Sequence, residues 1–455
     1  MALITGTPGN DALTGTGDAD MIEGLAGDDT LIGGAGRDTI LGGDGDDRID
    51  PGDNSVGGTD YVDTGFGNDT VNLSGQTPAQ SYFQLGHSSL NGTGNDIRVL
   101  IDADNNLGVI DKGAAGTTWL VDVVAALANG PDWGGMGISG TEYDDEFHVD
   151  PGEGGWIEVA PGAGSDLIRI GDGDGFVRLG YWDAAGGVVA NLGLGTMFKP
   201  GATGGVDFDT ILGRVNEFHA SHQNDRIIGS RLDDIFIPGQ GDDFLNGKAG
   251  FDTVRYDRSG VTAVKVDLGA GIATGTWGGR GFTDTLKNIE AVRGSRDHGD
   301  RLKGDGGANH LDGRGGNDTL HGRSGDDTLI GGAGKDRLFG GNGHDDLQGG
   351  AGKDLLYGSS SFDIMTGGSQ ADRFIFSTGH QALITDFDAA NGKDRIDLRG
   401  VAEITSYADL TADHLRVVMS AGAGEIVEIH DSAGTSITLG NGVTIADLSA
   451  ADFII

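Results

Sequence analysis

Large apolar residues recur along this chain at every ninth position, too widely spaced for a helical stripe and too regularly for chance. One run has Leu13, Ile22, Leu31, Ile40 and Ile49, and a second has Ile227, Phe236, Leu245 and Val254. The third has Leu302, Leu311, Leu320, Leu329, Leu338, Leu347, Leu356, Met365 and Phe374. Two residues before each apolar position stands a carboxylate: Asp11, Asp20, Asp29, Asp38 and Asp47, then Asp225, Asp234, Asp243 and Asp252. The third run supplies Asp300, Asp318, Asp327, Asp336, Asp345, Asp354, Asp363 and Asp372, with Asn309 breaking the series. Glycine crowds the first, second and fourth places of each nine, as in Gly33-Gly34-Ala35-Gly36-Arg37-Asp38-Thr39-Ile40-Leu41. The pattern predicts a tight turn, whose three glycines permit positive φ. A short strand follows over places seven to nine, with the eighth side chain inward and its neighbours outward. One Leu or Ile per strand makes a thin core, so the units must stack as a solenoid.

Composition narrows the function classes. Of 455 residues 88 are glycine and 8 proline, without the every-third spacing of collagen. Asp and Glu number 70 against 30 Lys and Arg, a formal charge of −40 that cations must offset in any compact state. With no basic patch, a nucleic-acid partner is disfavoured. An acidic, aromatic-poor chain is also the signature of disorder, but nine units in unbroken phase argue against it. There is no cysteine, which excludes a disulfide framework and thiolate metal sites. Residues 1–8 lack the basic and apolar stretches of a cleavable export signal, and no run approaches a transmembrane span.

Glycine turns that aim carbonyls at a common point, with one carboxylate added, form a hard oxygen donor set suited to Ca²⁺ and poorly matched to zinc or copper. In these nonapeptides the chain resembles the RTX family, whose Gly-Gly-x-Gly-x-Asp-x-(large apolar)-x repeats bind calcium. The resemblance implies an all-β fold, a right-handed parallel β-roll or β-helix solenoid with calcium-binding turns. It also implies two nonapeptides per coil and ligand Asp pairs eighteen residues apart, such as Asp318 with Asp336 and Asp327 with Asp345. The seventeen phased aspartates are then the metal ligands, in about twelve sites at most, enough to lower the formal charge of −40 to about −16. Asn309 weakens the site it shares. Asp60 and Asp69 resume the period after an insertion but have no phased Asp eighteen residues away, so they stay outside the ligand set.

Five segments follow: residues 1–74, an N-terminal RTX β-roll; 75–215, a degenerate solenoid with worn repeats; 216–299, a second run plus a strand insert; 300–375, the main run; and 376–455, a closing cap. Residues 181–229 and 256–304 read as two copies of one unit. Each opens on a tyrosine, Tyr181 or Tyr256, and Val188-Val189-Ala190-Asn191-Leu192 parallels Val264-Lys265-Val266-Asp267-Leu268. Residues 119–130 fit a helix with a glycine stop or a buried strand. Ile384-Thr385-Asp386-Phe387-Asp388 and Asp394-Arg395-Ile396-Asp397-Leu398 resemble the segment closing the β-roll of serralysin-type proteases. The ending Thr444-Ile445-Ala446-Asp447-Leu448-Ser449-Ala450-Ala451-Asp452-Phe453-Ile454-Ile455 is similar to the uncleaved signals of type I secretion substrates. The resemblance therefore implies export by a type I machinery to the extracellular medium.

Enzyme signatures are missing. None of the 11 histidines is followed by Glu, which excludes a His-Glu-x-x-His zinc helix. Gly367-Gly368-Ser369-Gln370-Ala371 lies in a nonapeptide turn rather than a nucleophile elbow. The Tyr-Gly-Phe-Asp-Pro-His signature of mannuronan epimerases is absent, and His219 and His222 have no evident third ligand. Two functions remain: an exported calcium-binding protein with a structural, adhesive or matrix role that folds on meeting external Ca²⁺, or a polysaccharide-modifying lyase or epimerase. The second would use Trp119, Trp133, Trp156, Trp182 and Tyr181 of the middle region as sugar-stacking aromatics. Polysaccharide or cell-surface material is the partner either reading suggests.

Overall fold

A computed structural model describes residues 2–52, 59–73, 82–86, 98–102, 107–112, 117–121, 135–152, 154–200, 205–359, 361–389, 394–420, 424–440 and 442–455. They form two compact units, Met1–Gly239 and Gln240–Ile455, each built almost wholly of short strands in parallel coils.

In the first unit the coil length is set by the repeat. Leu3 pairs with Met21 and Met21 with Thr39 in one sheet, while Ala12 pairs with Thr30 and Thr30 with Arg48 in the other. Each coil is thus eighteen residues, and consecutive nonapeptides feed opposite sheets. The eighth-position side chains meet between them: Ile22, Leu31 and Ile40 are fully buried and Ile49 is 2 % exposed. The insertion after Asp50 lengthens one coil without breaking it, since Thr39 pairs with Tyr61 and Arg48 with Thr70 at a spacing of twenty-two. Asp60 and Asp69, which resume the period in the sequence, thus stand one coil beyond Asp38 and Asp47 at a spacing of twenty-two rather than eighteen, because pairing register tolerates extra residues looped out between strands.

Beyond Asn72 the coils widen. Two antiparallel insertions enter the second sheet. One is the meander Arg98–Asp102, Leu107–Asp111 and Thr117–Val121, and the other is the hairpin of Thr196–Pro200 with Val206–Leu212. Thr117–Val121 is strand, which decides against a helix starting at Trp119; residues 122–134 lie outside the described residues.

The second unit repeats the hairpin, with Ile272–Trp277 against Arg280–Lys287, before entering its most regular part. There Arg301 pairs with Thr319, Thr319 with Arg337, Arg337 with Leu355 and Leu355 with Arg373, all at eighteen. All nine eighth-position side chains from Leu302 to Phe374 are fully buried. The tail adds the antiparallel strands Leu415–Ser420 and Gly424–His430, and its last strand, Phe453–Ile454, pairs in parallel with Arg395–Gly400. Among the described residues no helix is long and apolar enough to cross a membrane.

Candidate metal centre

The stacked turns of the first and third runs are tied by one repeated hydrogen bond, in which the backbone N–H of a marker residue donates to Oδ1 of the aspartate one coil later. It runs from Asp11 to Asp29 at 2.7 Å, Asp20 to Asp38 at 2.8 Å and Asp29 to Asp47 at 2.9 Å. It crosses the insertion from Asp38 to Asp60 and Asp47 to Asp69, both at 2.9 Å. In the main run it links Asp300 to Asp318, Asn309 to Asp327, Asp318 to Asp336 and Asp327 to Asp345. It continues from Asp336 to Asp354, Asp345 to Asp363, Asp354 to Asp372 and Asp372 to Asp394. One carboxylate oxygen of each Asp is thereby committed to the fold, and the environment of Oδ2 distinguishes the turns.

In one class Oδ2 is buried without a hydrogen-bond donor: Asp29, Asp38, Asp47, Asp318, Asp327, Asp336, Asp345, Asp354 and Asp372. In all nine, the residue at the second place of the turn has positive φ, including Gly332 at 100°, Gly341 at 113° and Gly350 at 101°. Leu25, Arg314 and Arg323 hold that conformation at 82°, 71° and 82° despite their side chains. The first-position glycines Gly24, Gly33, Gly42, Gly331 and Gly349 do not have positive φ, which corrects the sequence argument for that place. Their requirement is space. A Cβ on Gly331 would sit 2.6 Å from both Asp336 Oδ2 and Gly349 O, and one on Gly313 2.5 Å from Asp318 Oδ2 and 2.8 Å from Gly331 O. Each open turn thus keeps a small cradle in which a carboxylate oxygen and the carbonyl of the next coil converge.

In a second class the turn satisfies its own carboxylate. Where Ser or Thr replaces glycine at the second place, its N–H donates to Oδ2: Thr7 to Asp11, Thr16 to Asp20, Ser221 to Asp225, Ser230 to Asp234 and Ser359 to Asp363. Thr141 does the same for Asp145, a turn outside the predicted set, and Ser295 for Asp300 from one place earlier. This Asx-type closure was legible in the sequence as a hydroxyl residue four places before the marker. Asp243 and Asp252 share the open-turn backbone, with Gly239 at 90° and Lys248 at 84° in the second place, and their N–H groups bond the insert, Asp243 to Asp284 Oδ1 at 3.1 Å and Asp252 to Glu290 Oε2 at 2.8 Å.

Burial pushes the open-turn carboxyls up, and aspartates of adjacent coils reinforce it at several of them. Asp318 reaches about 8, Asp47, Asp327 and Asp372 about 7, and Asp38, Asp336 and Asp345 about 6. Among the described residues no three His, Asp or Glu side chains converge as a metal site. A cation held here takes one or two carboxylates and completes its shell with backbone carbonyls, as calcium accepts and zinc does not. An orphaned buried oxygen beside a carbonyl-lined cradle fits that ion.

Two of the middle-region aromatics offered by the sequence as a sugar platform lie inside the coils, while Trp182 is half-buried with its ring 5.3 Å from that of His219. Trp156 and Tyr181 are 2 % and 1 % exposed, because the widened coils need bulk in their interior. Trp133 lies outside the described residues. A recess of about 260 Å³ is lined by Thr141, Glu142, Asp183, Lys199 and Pro200 among others.

A family model described as the RTX calcium-binding nonapeptide repeat (4 copies) matches residues 5–40, 23–55, 223–254, 296–329, 312–347, 321–356 and 348–380. No curated protein matches the chain. Similar solved structures include two subunits of the Azotobacter vinelandii mannuronan C5-epimerase. AlgE6R3 is 31 % identical over 28 % of this chain and 77 % of that one, with a TM-score of 0.23. AlgE6R2 is 24 % identical over 35 % and 92 %, with a TM-score of 0.21. The extracellular lipase LipA from Serratia marcescens is 14 % identical over 53 % of this chain and 40 % of that one, with a TM-score of 0.22. The three phased runs of this chain are thus RTX calcium-binding nonapeptide repeats.

Proposed function

We propose that Ca²⁺ occupies the cradles of the open turns, held by Oδ2 of Asp29, Asp38, Asp47, Asp318, Asp327, Asp336, Asp345, Asp354 and Asp372, and that this binding drives folding. The observation that carries the reading is the set of buried carboxylate oxygens without a donor, which are costly to keep in a thin core unless a cation reaches them. Binding only to the folded form pulls the equilibrium toward it. Extracellular calcium modules have Kd of about 10⁻⁴ to 10⁻³ M, so the chain would be unfolded at cytosolic calcium and folded outside the cell. That behaviour suits export by a type I machinery followed by a structural, adhesive or matrix role. Circular dichroism in EGTA and in millimolar Ca²⁺, with ion counting by native mass spectrometry, tests it. The expected result is a β spectrum that appears with several bound ions; an unchanged spectrum and fewer than two ions would overturn the reading.

A second observation favours an acidic polysaccharide as the material bound. On one outer face of the second unit His321, Phe339 and Tyr357 stack at 4.3 and 4.2 Å, with interplanar angles of 4° and 16°. In the same outward register, two residues earlier, Arg337 precedes Phe339 while Thr319 and Leu355 precede His321 and Tyr357, and the flanking strands add Arg301, Arg373 and Arg395. An aromatic ladder bordered by guanidinium groups suits sugar rings that carry carboxylates. Calorimetry with uronate oligomers should show binding that Arg337→Glu weakens; equal binding by the variant counts against this face.

A further inference from the structure

Two turns in the first unit have the backbone of open turns yet differ at the carboxylate. At Asp69 the second place is Gly65, φ 77°, and at Asp166 it is Gly162, φ 87°. Neither second place carries a hydroxyl, although at Asp69 the Thr64 hydroxyl one place earlier also bonds the carboxylate. Instead a lysine ammonium enters each. Lys112 Nζ donates to Asp69 Oδ2 at 2.6 Å, to Gly65 O at 2.8 Å and to Thr64 Oγ1 at 3.3 Å, using all three of its protons. Lys199 Nζ donates to Asp166 Oδ2 at 2.6 Å and Asp209 Oδ2 at 2.8 Å, and lies 5.5 Å from the centre of the Tyr181 ring. Side chains at both sites are at most 1 % exposed. The inter-coil bond is retained here: Asp145 N–H donates to Asp166 Oδ1 and Asp166 N–H to Asp209 Oδ1. The feature both sites share is the lysine ammonium on Oδ2.

We infer that Lys112 and Lys199 are built-in cations standing where the divalent ion stands in open turns, so the rungs of Asp69, Asp166 and Asp209 hold without calcium. This rests on the calcium reading of the open turns. Both lysines are delivered by the antiparallel insertions, Lys112 directly after Leu107–Asp111 and Lys199 from Thr196–Pro200. That gives those insertions a purpose: a strand running against the coil carries a long side chain into a turn that its own nonapeptide cannot fill. Burial opposes the Lys199 charge, but Asp166 and Asp209 outweigh it and lift its pKa above the ordinary value. Tyr181 Oη donates to Asp209 Oδ2 at 2.8 Å, easing the second negative charge that a single ammonium leaves.

The duplicated unit supplies an internal contrast. Tyr256 Oη donates to Asp284 Oδ2 at 2.8 Å, as Tyr181 does to Asp209. In the first copy Met197 pairs with Asp209, and in the second Ala273 pairs with Asp284. Two residues on, the position of Lys199 is taken by Gly275, against which the Phe282 ring lies. The first copy therefore has a fixed cation at this register position and the second has none.

Hydrogen exchange on the full chain in EGTA and in Ca²⁺ tests the inference, with the main run as reference. The expected result in EGTA is protected amides over residues 135–219 and rapid exchange over 300–375. Lys199→Met should make protection of 135–219 calcium-dependent and add one bound Ca²⁺ per chain, and Lys112→Met should do the same around Asp69. If residues 300–375 are calcium-dependent while 135–219 of the unaltered chain also lose protection in EGTA, the inference is overturned. The same holds if both variants keep the original ion count and protection. If residues 300–375 never respond to calcium, it is the calcium reading itself that fails.

Discussion

Replacing Asp336 with Asn separates the two tasks of an open-turn carboxylate. Oδ1 accepts the Asp318 N–H at 2.8 Å, which an amide carbonyl also does. Oδ2 faces Gly349 O across the cradle, where an amide nitrogen becomes a donor and brings no negative charge. Asn309 shows that an amide is accommodated in such a turn, there with the opposite orientation: Oδ1 accepts from Asp305 N–H of its own turn at 2.8 Å and Nδ2 donates to Glu290 O of the previous coil at 3.3 Å. In EGTA, Asp336→Asn should therefore be neutral or mildly stabilising, since it removes a carboxyl that burial lifts to about 6. In calcium it removes the charged ligand from one cage. A site filled at 100 times its Kd contributes about 2.7 kcal/mol, so the loss should approach that figure and vanish in chelator. Asp363→Asn is the control: its Oδ2 accepts the Ser359 N–H at 2.7 Å, and losing that bond should cost about 1 kcal/mol with or without calcium. Urea unfolding in the two buffers, with ion counts, reads both. An equal cost for Asp336→Asn in both buffers with an unchanged ion count would refute the assignment of Oδ2 as a ligand.

Three further outcomes are expected. Leu338→Ala removes a fully buried side chain from a core with one such residue per strand, and should cost about 2 to 5 kcal/mol in urea unfolding. Gly332→Ala puts a Cβ at φ 100° and 2.0 Å from the Arg314 carbonyl oxygen of the previous coil, and should cost more than the ~1 to 2 kcal/mol of a left-handed residue alone, irrespective of calcium; a cost seen only in calcium would contradict its role as a turn former. The open-turn carboxyls sit above their unfolded values, so ionising them penalises the metal-free fold at high pH, and the penalty is relieved as pH falls through 8 to 6. In metal-free buffer, β structure by circular dichroism should thus increase from pH 8 to 5 while calcium affinity, measured by titration, decreases. Less structure at pH 5 would show that the buried carboxyls are not those titrating.

The nonapeptide phase was enough to place every strand of the main run and its inward residue, because a coil of two nonapeptides leaves one register in which Leu311, Leu329 and Leu347 stack. The hydroxyl-closed turns were equally local, since Thr16 and Asp20 or Ser359 and Asp363 lie four residues apart. Continuity across the insertion was not visible, because a period count stops at four extra residues while backbone pairing does not. Nor was the burial of Trp156 and Tyr181, which depends on how wide the middle coils are.

Each turn's shape is local chemistry: glycine where φ must be positive, carboxylate where charge must point inward, one apolar residue to anchor the strand. These are short-range constraints, repeated, and the linear code carries them in full. Which cation neutralises a turn is a long-range matter. Lys112 reaches Asp69 across 43 residues and Lys199 reaches Asp166 across 33, and no spacing rule links them. Electrostatic balance in a thin core depends on distances in space, and those exist only once the antiparallel insertions have folded against the coils that receive their lysines.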